Sequence, residues 1–204
     1  MLGTSLDYSS YLVRLQSELR RVHPAEVNRL TELLFAAWEE ENTVFIVGNG
    51  GSACTASHLC EDLGKGCLRQ EDLCDESRRR LRVLSLTDNV GWLTAIGNDC
   101  GYEQVFVQQL MNFGRPGDLL IAISGSGNSP NVLKAVDWAN RHGLTTFGMT
   151  GFNGGKLKQL ASTGIHVPLD DMGMVESVHI CLVHWIVDDL HARVNAIGRY
   201  AKAG

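Results

Sequence analysis

Five short, β-rich apolar runs do most to restrict how this chain can fold. They are "TVFIVG" (43–48), "LRVLSL" (81–86), "DLLIAI" (118–123), "LTTFGMT" (144–150) and "GIHVPL" (164–169), each beside helical patterning or a glycine-rich loop. Runs this continuous do not suit one-sided burial, where apolar and polar residues alternate. Strands interleaved with helices predict instead a parallel sheet covered on both faces. Ahead of them, Tyr8, Tyr11, Leu12, Leu15 and Leu19 recur at helical spacing, and "PAEVNRLTELLFAAWEEE" repeats the pattern from Pro24. Pro24 suits a first helical position and Glu26 the positive end of the helix. A long helix is expected near 174–196, and its stripe Val178, Leu182, Trp185, Val187 and Leu190 reads as core or subunit contact. The expected architecture is a single α/β domain over 1–204, a three-layer sandwich. Residues 1–42 form an N-terminal helical pair and 43–204 the core. The polar stretch "GKGCLRQEDLCDESRRR" (64–80) shows no period and is expected to be a mobile loop. Its Arg78, Arg79 and Arg80 read as a solvated charge run, or one reaching over a bound phosphate.

A chain of 204 residues, 44% hydrophobic, has enough apolar material for one sizeable core. Its net charge of −5 argues against nonspecific binding to nucleic acid or acidic membranes. No apolar stretch reaches the roughly 18 residues of a membrane span. "MLGTSLDYSSYLVRLQSELRR" lacks the apolar middle of a signal peptide, so a cytoplasmic protein is expected. Cys54, Cys60, Cys67, Cys74, Cys100 and Cys181 contain no CxxC pair, and the seven-residue spacing of three of them matches no zinc pattern. They read as reduced thiols.

Ligands of open α/β sheets bind beyond the carboxyl ends of the strands. "GNGGSA" (48–53), "TDN" (87–89), "SGSGNS" (124–129) and "TGFNGG" (150–155) all fall at such ends. In the third, Ser124, Ser126 and Ser129 precede Pro130, which has no N–H to leave unsatisfied at a helix start. Capping the helix takes one serine, and this loop offers three. Hydroxyls and free backbone N–H groups at a helix N-terminus suit an oxyanion. The lysine of a P-loop and the spacing of a dinucleotide loop are both missing, so a phosphomonoester fits better than a nucleotide.

"GNGGSA", "ISGSGNSPNVLKA", "TGFNGGKL" and the late "VESVHICLVH" together resemble the sugar isomerase (SIS) domain family, and within it the phosphoheptose isomerases. The resemblance implies a five-stranded parallel flavodoxin-like sheet and a homotetramer with active sites near subunit interfaces. It also implies a phosphosugar substrate and aldose–ketose isomerisation, most specifically of sedoheptulose 7-phosphate to a heptose 7-phosphate. Noncatalytic members that bind phosphosugars or proteins, and isomerases of other sugar phosphates, are the alternatives. By the resemblance, Ser52, Ser124, Gly125, Ser126 and Ser129 fall on phosphate- and sugar-contacting positions. Asn49, Gly50, Gly51 and Asp88 fall on sugar-contacting ones.

Moving a proton between adjacent carbons requires a base, an acid and something to stabilise the enediolate. His58 and Asp62 stand at i and i+4 of the helix after "GNGGSA", and so share one face; Glu176, His179 and His184 lie on the last helix. Phosphoheptose isomerases bind zinc through a histidine and a glutamate on the first of these helices and a glutamine and a histidine on the last. The glutamate and second histidine also transfer protons. The matching positions are His58, Asp62, Glu176 and His184, with Asp62 and His184 as the catalytic pair and Glu176 also facing substrate. Asp62 is one methylene shorter than the family's glutamate, and Glu176 is charged where the family has glutamine. Glu61 is the substitute if the helix rotates. Residues eight apart on a straight helix are separated by about 12 Å, so Glu176 and His184 can share a metal only if Glu176 sits at the helix start. His179, one turn from Glu176, offers itself in place of either partner. His23, His142, His166 and His191 are isolated and read as structural.

Overall fold

The computed structural model describes residues 1–201. The helical pair forms as expected: α1 spans Tyr8–Arg21 and α2 spans Pro24–Glu39. Asp7 caps α1 by accepting from the Ser10 N–H at 2.7 Å. The His23 ring does the same for α2, with Pro24 in its first turn.

The five runs become β1 (Thr43–Gly48), β2 (Arg82–Ser85), β3 (Leu119–Ser124), β4 (Thr145–Thr150) and β5 (Thr163–His166). All pair in parallel, in the order β2-β1-β3-β4-β5, with Val44 opposite Leu119 and Leu119 opposite Thr145. Between the strands lie α3 (Gly51–Gly66), α4 (Val90–Asp99), α5 (Val107–Phe113), α6 (Pro130–Arg141) and the short α7 (Leu157–Leu160), and α8 (Met172–Val194) closes the chain.

Successive side chains of a strand point to opposite faces, and here both faces are buried. Val44, Ile46, Ile121 and Ile123 join a core with α2, α3 and α8, against which Leu15 and Leu19 of α1 pack. Phe45, Val47, Leu120 and Ala122 join the other core, with Leu110 of α5 and Val132 and Val136 of α6. That is the expected three-layer sandwich. The edge strand β2 departs from the pattern: only Ser85 is buried along it, and Leu84 is exposed.

Residues 64–80 are not the featureless loop that their composition predicts. The helix α3 runs on to Gly66, and a 3-10 turn forms at Gln70–Asp72. The arginine run is engaged locally: Arg78 pairs with Asp72 at 2.9 Å, and Arg80 donates to the Leu73 carbonyl at 2.6 Å. The Arg79 guanidinium lies 5.1 Å from the centre of the Trp38 ring. Ion pairs and stacking need no apolar period, which is why the pattern missed them.

Asp171 caps α8 by accepting from the Met174 N–H at 2.9 Å, and it also accepts from the Leu2 N–H at 2.5 Å. Those bonds hold its carboxyl below the usual carboxylate range, the Met174 contact first. No helix among the described residues is long and apolar enough to cross a membrane.

Candidate functional site

The chain leaves β1 in opposite directions toward β2 and β3, which makes the carboxyl ends of β1 and β3 the switch point where this class of sheet opens a crevice. A cavity of about 110 Å³ lies there, lined by Asn49, Ser52, Ser124, Ser126, Ser129 and Glu176, among others. Gly50, at the N-cap of α3, has φ +56°, a conformation that favours glycine. A Cβ at Gly51 would collide with the Glu176 carboxylate, so glycine is what lets that carboxylate pack on the start of α3.

Ser129 occupies the N-cap of α6, yet its side chain makes no capping bond. Its hydroxyl lies 3.3 Å from that of Ser124, whose oxygen also receives the Gly127 N–H at 3.2 Å. The simple capping role is therefore unfilled, and the hydroxyls gather around the helix N-terminus where an anion is favoured. Among the described residues, no lysine or arginine lines this cavity. Glu176 is its single charged group, and its carboxylate has no hydrogen bond or ion pair among the described residues.

Glu176 also walls a second cavity of about 360 Å³, with Gly51, Cys54, Thr55, His58 and Ser177. Beyond it His58, Asp62 and His184 converge, offering ligand atoms within 4.8 Å of one another. The Nε2 atom of His58 lies 3.3 Å from Asp62 Oδ2, and the His58 and His184 rings meet edge to face at 5.0 Å. Two imidazoles and a carboxylate form a donor set that fits zinc.

The other expected ligand does not join them. Met172 starts α8 and Glu176 lies inside its first turns, two turns from His184, so the helical rise separates the two. Nor does His179 substitute. It is 1% exposed with neither ring nitrogen hydrogen-bonded, and burial lowers its pKa to about 4. His166, lowered by burial, contacts the Thr150 hydroxyl at 3.1 Å; His142 stacks on Trp138, and His191 contacts the Gly66 carbonyl. Like these three, His23 makes its contact within the fold, as the cap of α2.

Asp88 accepts a hydrogen bond from the Ser57 hydroxyl, which ties it to α3, and another from the neighbouring Thr87 hydroxyl. Two residues that hydrogen-bond to Asn49 are not among those expected from the sequence. Asn131 exchanges side-chain amide bonds with Asn49, and the Tyr102 hydroxyl donates to Asn49 at 2.9 Å. The only signal for Asn131 was its position directly after Ser129 and Pro130, and Tyr102 gave none.

Comparison with known proteins bears on this arrangement. The SIS domain pattern matches residues 7–151. The phosphoheptose isomerase of Chlorobium phaeobacteroides is 38% identical over 184 residues, covering 90% of this chain and 79% of that protein. That of Helicobacter pylori strain Shi470 is 41% identical over 156 residues, covering 76% and 78%. Among solved structures, phosphoheptose isomerase GmhA of Neisseria gonorrhoeae superposes with a TM-score of 0.78 at 30% identity, covering 87% of this chain and 91% of that one.

Proposed function

This chain belongs to the SIS domain family, alongside the phosphoheptose isomerases, and we propose that it interconverts sedoheptulose 7-phosphate and D-glycero-D-manno-heptose 7-phosphate. One observation carries the reading beyond kinship: Glu176 walls both the serine-lined cavity and the cavity that His58 lines, so an anion pocket and a cluster of proton-transfer groups adjoin. With the phosphate among Ser124, Ser126 and Ser129, the far end of the sugar is directed past Glu176 toward His58, Asp62 and His184.

Backbone N–H groups and hydroxyls at the start of α6 bind the phosphate and set the register of the sugar. Asn49 lines the cavity that takes the phosphate end of the sugar, and Asp88 faces the middle of the chain. Asp62 and His184 are the proton-transfer groups, removing the proton from the carbon next to the carbonyl and returning it to the neighbouring carbon. His58 holds the Asp62 carboxylate by their 3.3 Å contact. His58, Asp62 and His184 would also hold a zinc ion, which when bound supplies Lewis-acid polarisation of the substrate oxygens. Glu176 contacts substrate between the two ends. The working form is a homotetramer, which covers apolar side chains that α1 leaves exposed, Tyr8 and Val13 foremost.

The test is incubation with a panel of C5–C7 sugar phosphates in deuterated water. Turnover of sedoheptulose 7-phosphate with deuterium entering C1 or C2, and at least tenfold preference over pentose phosphates, is expected. Binding without exchange for every sugar would overturn the isomerase and leave a phosphosugar-binding module.

A further inference from the structure

Asn49 has a side chain that can present either a donor or an acceptor to a ligand, and its neighbours decide which. The Asn131 Oδ1 atom accepts the Val132 N–H at 3.0 Å, and that bond fixes the orientation of the Asn131 amide, because the NH₂ group cannot face another donor. Asn131 Oδ1 then accepts from Asn49 Nδ2 at 2.9 Å, while Asn131 Nδ2 donates to Asn49 Oδ1 at 2.9 Å. The Tyr102 hydroxyl donates to the same Asn49 Oδ1 at 2.9 Å. Both lone pairs of that oxygen are now used. One N–H of Asn49 is left without a partner among the described residues, on a side chain that lines the serine cavity.

The supports are themselves held. Asn131 is 2% exposed at the start of α6. Tyr102 is 61% exposed, but the turn that carries it is tied to α6 by Lys134, 3.3 Å from Glu103. The residues joined come from the ends of β1 and α4 and the start of α6, the elements that border the switch point.

We infer that Asn131 is a positioning residue: with Tyr102 as an outer latch, it holds Asn49 as a one-way hydrogen-bond donor toward the oxygens of the bound phosphosugar. The inference rests on the site being a phosphosugar site. It also explains a polar pair at a crevice, in which the buried Asn131 amide pairs with the half-buried Asn49 amide and leaves Asn49 an N–H for a ligand. A site arranged in this way prefers ligands that present an acceptor oxygen to Asn49.

A double-mutant cycle on the full chain tests it, with sedoheptulose 7-phosphate as substrate. Asn131→Leu, close in shape but unable to hydrogen-bond, should raise KM about tenfold, the value of one lost hydrogen bond, with kcat within about threefold. Asn49→Ala should do the same, and the double variant should be no worse than Asn49→Ala alone. Tyr102→Phe should raise KM about two- to fivefold. In the unsubstituted protein, inorganic phosphate should shift one of the two Asn49 side-chain amide protons in ¹⁵N-resolved NMR spectra.

A KM within twofold of the original in Asn131→Leu, or full additivity with Asn49→Ala, would overturn the inference. If Asn131→Leu does not fold, the amide spectrum decides: an unmoved Asn49 signal at saturating phosphosugar overturns it. A protein without turnover whose Asn49 proton still shifts with phosphate would lose the isomerase reading and keep this one.

Discussion

Asp62 and Glu176 are the two carboxylates the site offers, and their surroundings divide the work. Asp62 lies against His58 and His184, whereas Glu176 stands at the wall between two cavities with no ion-pair partner among the described residues. A phosphate dianion placed beside Glu176 meets a like charge, so Glu176 is poorly suited to anchoring phosphate. It is well suited to accepting hydrogen bonds from sugar hydroxyls. Asp62→Asn should therefore abolish deuterium exchange while sedoheptulose 7-phosphate affinity, measured by calorimetry, stays within severalfold. Asp62→Glu should keep or raise turnover, because added reach of about 1.5 Å brings the carboxylate nearer the sugar. If Glu61 is the working group, Asp62→Asn will be nearly silent and Glu61→Gln will inactivate. Glu61 is exposed and paired with Lys65, which argues for Asp62.

Among the elements, α8 carries the sharpest contrast: its first turns face the cleft, and one turn further on it buries an imidazole with no partner. His179 has an ordinary pKa of 6.5 and a folded one of about 4, with burial the main cause. Between those values the unfolded chain binds a proton that the folded chain refuses. This contribution to stability is complete above pH 6.5 and is lost as pH falls toward 4, by at most about 1.4 kcal/mol per pH unit. His179→Leu should flatten the fall of Tm between pH 6.5 and 4 relative to the unsubstituted protein; parallel pH profiles would refute the assignment. The elements were also where the sequence was most legible. Continuous apolar runs marked all five strands, whereas the expected sharing of a metal by Glu176 and His184 does not appear in the fold, because the helical rise holds them apart. Leu84 looked like any core leucine, because the edge position of β2 depends on strand order, which the run itself does not encode. Asn131 and Tyr102 were illegible for the same reason: their partner, Asn49, is their neighbour only once β1 and β3 lie side by side.

At the scale of the molecule, Tyr8 and Val13 of α1 are 77% and 67% exposed, and they are side chains that the proposed homotetramer would cover. Light scattering at micromolar concentration should give four times the mass of the 22.3 kDa chain, and Tyr8→Lys with Val13→Glu should lower it. A monomer would contradict the assembly proposed for the enzyme. The strand order has a consequence of a different kind, for the time course of folding. The N–H of Thr43 is met by the Asp118 carboxylate 75 residues downstream, and β1 gains its second neighbour only when β3 arrives. A ribosome must therefore pass residue 124 before β1 can be paired along both of its edges. Parallel pairings over such separations form slowly, since the loop must close before any contact rewards it. Until then, the helical pair and β1 are a nascent segment with apolar faces and nothing to cover them, the stretch of synthesis in which a chaperone would find this protein most exposed.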